Sequence, residues 1–192
     1  MKAKSLLSIM LFLSISFSAL AQNGKLYIDT IDKEGTRCVG TYYYYIMKGF
    51  TDTAAVGLSI MAEASTTETH YFLSVKMNNV TFPKEGVFLI KTSKGEIIEL
   101  SQLRNKYKTE DIHYVPNHGF FQTGTGLYLV DENILELLHK DGISKIRIQT
   151  SSGLIDREYK PKQTEKYKKD FDKMYSLIKK TLSQKKDIYT DF

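Results

Sequence analysis

The sequence predicts an α+β fold that is mainly β. It is an antiparallel sheet or two-layer sandwich with a short helix near 132–140 and a C-terminal amphipathic helix near 164–184. Three observations predict it. About nine short segments rich in aliphatic, Thr and Tyr residues are separated by turn residues. Only two stretches change to a helical period. The regular strand–helix–strand alternation of a doubly wound nucleotide fold is missing.

The chain has 192 residues, 42% apolar and 26% charged, with 12 Gly and 3 Pro. Those values exclude collagen-like, mucin-like and wholly disordered chains, and the length excludes a large multidomain enzyme. Met1-Lys2-Ala3-Lys4 is a short basic start, Leu6 to Phe17 is apolar apart from small serines, and Ala19-Leu20-Ala21 is a small-x-small cleavage site. This three-part pattern predicts a secretory signal over residues 1–21, cleaved near Ala21. The apolar run is shorter than the roughly 20 residues a membrane span needs. No Cys follows the cleavage site to carry a lipid. The mature region, 22–192, is expected to be a single mainly-β domain without a transmembrane segment, periplasmic or extracellular.

Leu26–Ile31 reads as the first strand, and Asp32-Lys33-Glu34-Gly35 as a turn. Arg37 to Met47 reads as one strand with large or aromatic residues on both faces, so it is expected to be central or covered on both sides. Cys38 within it is the single cysteine and is expected to be a small buried hydrophobe. Ala54 to Met61 is a third strand, and Glu63 to Glu68 a polar loop. In His70 to Met77, Tyr71, Leu73, Val75 and Met77 share one face. His70, Phe72, Ser74 and Lys76 share the other, as a half-buried antiparallel strand requires.

Val87–Thr92 and Glu96–Leu100 flank Ser93-Lys94-Gly95, a three-residue hairpin connection with Gly at the left-handed position. Residues 101–118, with Pro116, read as a long loop, and Phe120 to Val130 as a strand. Gly124 and Gly126 in that strand predict a bulge or a close backbone approach. Asp131 is placed to cap a helix carrying Ile134, Leu135, Leu137 and Leu138, which Gly142 stops. Ile143–Thr150, the turn Ser151-Ser152-Gly153, and Leu154–Tyr159 form a second hairpin. Tyr167, Phe171, Met174, Ile178 and Leu182, widened by Tyr175, recur at helical spacing. That stripe must be buried, and the open side of the strand assembly is its expected partner.

Candidate chemistry is sparse. Asp111, His113 and His118 lie together in the least regular stretch and form the candidate functional loop, since loops carry function more often than strands. Imidazole and carboxylate could bind zinc or act as a base, yet the spacing matches no zinc signature. No His-Glu-x-x-His, Cys pair or Gly-x-Ser-x-Gly occurs. Gly124-Thr125-Gly126 lacks the following Lys and helix of a phosphate loop. Glu96, Glu99 and Glu110 are read as solvated carboxylates. No catalytic, cofactor-binding or metal residue is assigned, and no cofactor is expected.

The four consecutive tyrosines Tyr42 to Tyr45 are read as packing residues. From Asp156 to Phe192 there are 11 Lys or Arg against 7 Asp or Glu. A basic helix can touch acidic lipid or nucleic acid. Export and the interspersed Asp170 and Asp172 argue against a nucleic-acid partner. The segment from Gly142 to Ile148, then Ser152-Gly153 and the Lys-rich helix, resembles small exported proteins of Bacteroidota that carry no assigned activity. The resemblance covers mainly residues 127–182 and transfers no functional residue.

Three functions remain open at this point. The leading one is an exported, non-enzymatic binding or envelope-associated module for an unknown ligand or protein partner. The second is a small metal-dependent or hydrolytic enzyme using residues 101–126. The third is a basic protein making peripheral surface contact through its terminal helix. The second requires His113 or His118 beside a carboxylate in a concave pocket, and the third requires an unshielded lysine patch.

Overall fold

A computed structural model describes residues 25–46, 55–83, 85–103, 110–115 and 119–184. Residues 1–21, expected to be a leader, lie outside them. Eleven strands and two helices are defined there: β1 (Leu26–Ile31), β2 (Arg37–Thr41), β3 (Tyr44–Tyr45), β4 (Val56–Ala64), β5 (Thr69–Asn78), β6 (Val87–Thr92), β7 (Ile97–Ser101), β8 (Glu110–Val115), β9 (Gly119–Val130), α1 (Glu132–Asp141), β10 (Ile143–Thr150), β11 (Gly153–Glu158) and α2 (Pro161–Ser183). All pairings are antiparallel. One sheet runs β1-β2-β4-β5-β9-β8, with β3 also on β4; the other runs β11-β10-β6-β7. The α+β, mainly-β architecture is therefore the observed one.

Local chemistry explains most boundaries. The Asp32 carboxylate accepts from the Glu34 and Thr36 amides, both at 2.9 Å, and this turns β1 into β2. Thr92 N–H donates to Glu96 at 2.8 Å and closes the β6–β7 hairpin around Ser93-Lys94-Gly95. Asp131 Oδ1 accepts from Ile134 N–H at 2.8 Å and caps α1. Gly142, at φ 71°, ends that helix with its N–H on Leu138 O. At Gly124 a Cβ would lie 2.2 Å from the Val80 carbonyl oxygen, so the expected close approach is real: the 79–83 segment crosses β9 there.

The core lies between the two sheets, and both helices complete it. Leu58 and Ile60 of β4, Leu73 and Val75 of β5, and Tyr128 of β9 face Phe88 and Ile90 of β6 and Ile146 and Ile148 of β10 in one cluster. The Phe88 and Tyr128 rings meet at 5.3 Å. Helix α2 packs on β2, β4, β10 and α1, burying Phe171, Met174, Tyr175 and Ile178. Each such side chain contributes about 1.5–3 kcal/mol of transfer free energy.

Five expectations need correction. The 101–118 loop contains a strand, β8, which pairs with β9 from Glu110↔Gly124 to Val115↔Gly119. The single strand Arg37–Met47 breaks at Tyr42-Tyr43, because Tyr43 leaves the ladder and its hydroxyl hydrogen bonds that of Ser74 at 2.8 Å. Strand β4 runs on through Glu63 and Ala64, which pair with His70 and Thr69, so the loop shrinks to a tight turn held by Ser65. Helix α2 starts at Pro161 rather than near Thr164. A proline at the first helical position loses no needed N–H, and Gln163 Oε1 accepts from Lys160 N–H at 3.0 Å. The β5 face expected in water is also covered in part: Phe72 and Ser74 are buried.

A carboxylate at the wrong end of a helix dipole tests the α1–hairpin junction. Asp141 is buried in the last turn of α1, where negative charge is disfavoured. Lys94 Nζ, on the β6–β7 turn, reaches its Oδ1 at 2.8 Å. Lys94→Met is expected to cost about 1–2 kcal/mol in urea unfolding, less than a fully buried pair because Lys94 is largely in water. Adding Asp141→Asn should recover most of that loss.

Candidate groove between the sheets

The predicted functional loop is not where a concave surface forms. Asp111 and His113 alternate along β8, so their Cα atoms place them on one face of an edge strand, at the register positions of Thr123 and Phe121. His118 lies outside the described residues. The structure therefore does not show these three residues brought together. Among the described residues, no group of three or more His, Cys, Asp or Glu is placed to hold a metal ion.

An open groove of about 1150 Å³ lies at the other end of β9. From the β8 pairing at Thr123 to Leu129 is about 20 Å along the strand. Three chain segments build the groove: the start of β5, the end of β7 with Gln102 and Leu103, and the β9–α1 junction. They meet because β7, an edge of the second sheet, approaches β9 of the first through a bridge between Gln102 and Tyr128. Gln102 N–H also donates to Gly86 O at 3.0 Å, and Leu103 N–H to Leu127 O at 2.9 Å.

The lining combines apolar surface with acceptors. Tyr71, Leu129 and Ile134 supply the apolar part, and Leu129 is 49% exposed. Glu99, Asp131 and Glu132 bring three carboxylates, and no Lys or Arg lines the groove among the described residues. Glu132 is committed to α2: it pairs with Lys179 and accepts from the Tyr175 hydroxyl at 3.4 Å. Burial is the main cause that raises the Tyr71 phenol above its usual range, and nearby Glu132 adds to it. His70, at the rim, pairs with Glu68 at 3.2 Å.

Most charged groups on the two helices have ion-pair partners, while the buried Thr123, Tyr128 and Tyr159 hydroxyls have no hydrogen-bond partner among the described residues. His139 Nδ1 sits 2.8 Å from Asp172 Oδ1 and ties α1 to α2, with Lys168 on the other carboxylate oxygen at 3.1 Å. Along α2, Lys168, Lys169, Lys173 and Lys179 each face a carboxylate. Burial pushes the Tyr43 phenol up to about 12, against the opposing hydrogen bond with Ser74.

Cys38 is buried, and desolvation, then Glu63 and Asp32, push its thiol up to about 11. The thiolate is the reactive form, so this cysteine is inert near neutral pH. Iodoacetamide at pH 8 should label it only as the protein unfolds, with labelling tracking the loss of far-UV signal in urea. The sign of the linkage follows from the raised value. The group's contribution is full below its unfolded pKa and is lost as pH rises from about 9 toward about 11.

Sequence reading missed the groove because its three segments are remote from one another along the chain. One signal was present: Leu129 is apolar at the parity opposite the core-facing Tyr128 and Val130. No family model, curated protein or solved structure matches the chain.

Proposed function

We propose that the chain is an exported, non-enzymatic binding module whose ligand or partner site is the groove between β5, β7 and the β9–α1 junction. The observation that carries this reading is the groove itself. It is concave, joins both sheets, and mixes apolar side chains with a few fixed acceptors, the usual make-up of a binding site. Two further findings support it over the alternatives. The only histidine among its described lining residues, His70, sits at the rim 3.2 Å from Glu68, and no hydrogen bond among the described residues joins it to the Thr69 or Ser101 hydroxyl. The ion pairs along α2 spread charge of both signs over its surface, which argues against a purely basic contact face.

Export rests on the residue 1–21 pattern, and N-terminal sequencing of the secreted protein should begin at Gln22. The binding reading is tested by a melting screen of metabolites and short peptides against the wild type and Leu129→Arg. Leu129 is half in water, so the Arg fills the groove with little cost to the fold. A ligand at a hundred times its Kd stabilises by about 2.7 kcal/mol. Compounds that raise the wild-type Tm and leave Leu129→Arg unmoved support the site. A screen without hits, or with hits that shift both proteins equally, overturns it.

A further inference from the structure

We infer that the groove takes an extended peptide segment of a partner protein, added as a strand to the open edge of β7, with a Lys or Arg of that segment opposite Glu99. The inference rests on the groove being the binding site and adds the class of ligand and its manner of binding.

The backbone of β7 carries it. This is the last strand of its sheet and pairs on one side with β6. Just past its end, Gln102 N–H donates to Gly86 O on the β6 side, and Leu103 N–H donates to Leu127 O on the other. Backbone groups alternate in direction along a strand. Those of Leu100 and Ile98 therefore face β6, and those of Glu99 and Ile97 face away from it. Among the described residues, no strand pairs with that outer side beyond the Gln102–Tyr128 bridge. Continued pairing from that bridge would set Glu99 opposite Asp131, where like charges oppose each other. The two strands part instead, and the space between them is the groove. A strand edge left open along a groove wall is a template for an extended peptide, whose backbone brings N–H and C=O groups at the matching spacing.

Edges are commonly guarded by Lys, Pro or a bulge. β7 has neither residue, its register with β6 is regular, and Ile97 is 66% exposed. Its single charge, Glu99, selects the occupant. Two copies of β7 paired antiparallel in full overlap would set the two Glu99 carboxylates opposite each other, which is unfavourable. A Lys or Arg there makes a favourable cross-strand pair and offsets Asp131 across the groove. No ion pair among the described residues involves either carboxylate. Apolar residues beside that cation have Leu129 and Ile134 to pack against.

The probe is the peptide acetyl-Thr-Val-Lys-Val-Thr amide, with a set in which Leu or Tyr replaces Val. Binding is expected to slow hydrogen exchange at the Ile97 and Glu99 amides and to leave Gln102 N–H, already bonded, as it was. Methylating the Lys backbone nitrogen, which faces β7, should abolish binding. Methylating the preceding Val nitrogen, which faces away, should weaken it no more than about threefold. Glu99 is exposed, so Glu99→Lys leaves the fold intact. It should weaken the Lys peptide by about tenfold, and a peptide with Glu in place of Lys should recover that loss. Equal binding of the two methylated peptides, or binding without protection at Ile97 and Glu99, overturns the strand addition. An affinity unchanged in Glu99→Lys overturns the basic partner. Protection of those amides that grows with protein concentration in the absence of peptide makes the occupant a second copy and overturns the inference. If no peptide of the set binds, the inference falls, and the groove itself is judged by the wider screen against Leu129→Arg.

Discussion

Phe171→Ala is expected to lower stability by about 3–5 kcal/mol, the usual range for deleting a buried aromatic ring. Phe171 is 2% exposed, and it sits on the face of α2 that covers both sheets. Polar ties to α1 and to Arg37 hold its ends, but the stripe supplies its apolar burial. Its outward face carries lysines whose surface pairs with Asp170, Asp172 and Glu165 contribute little individually. Most helical stability in proteins comes from packing of an amphipathic face, and here the apolar stripe supplies it. For a domain of this size each kcal/mol moves Tm by about 2–4 °C, so the variant should melt roughly 6–20 °C lower. Equilibrium urea unfolding and a thermal scan check the number. A change below about 1 kcal/mol would mean that α2 is not docked through this stripe. Lys169→Ala on the opposite face serves as the control and should stay within about 0.5 kcal/mol of the wild type.

The same contrast between repeated and scattered signals explains what the sequence revealed. Helix α2 was legible because five apolar residues recur three and four apart, and its stripe is the observed buried face. The β6–β7 and β10–β11 hairpins were legible because Gly95 and Gly153 take positive φ where the turn chemistry asks for it. Strand β8 was not, because its alternation spans only six residues, is rich in charge and ends beside Pro116, features that read as loop. The break at Tyr42-Tyr43 was hidden for another reason. Four tyrosines favour a strand locally, while the Tyr43 hydroxyl makes tertiary hydrogen bonds with Ser74 and Thr125 outside the ladder. The groove is the extreme case: Gln102 and Asp131 come to line one groove through sheet topology, which no local window reports.

Arg37→Met is expected to be the second most damaging change, at about 2–4 kcal/mol. Few surface arginines cost so much, and the geometry explains why this one does. Its side chain is 11% exposed and forms a two-pronged pair with Asp29, Nε to Oδ1 at 2.9 Å and Nη2 to Oδ2 at 3.0 Å. The remaining nitrogen, Nη1, donates to the carbonyls of Thr181 at 2.8 Å and Gln184 at 2.6 Å. Those carbonyls lie at the end of α2, where the helix dipole is negative; Thr181 O otherwise has only the Gln184 N–H at 3.2 Å, and Gln184 is the residue that caps the helix. One guanidinium thus joins the first hairpin to the last helix across 144 residues of chain. Methionine keeps the bulk and removes all four hydrogen bonds. The estimate lies below the 3–5 kcal/mol of a fully buried pair because Asp29 is partly in water.

Lysine at the same position cannot form the planar fork, so Arg37→Lys should recover less than half of the loss. Hydrogen exchange separates a clamp from a bystander. If Arg37 closes the helix end, amides near Thr181 lose protection locally in Arg37→Met, while those around Phe171 speed up only by the global stability change. Unchanged exchange at Thr181, together with a Tm within about 2 °C of the wild type, would show that the four bonds hold nothing that packing of α2 does not already hold.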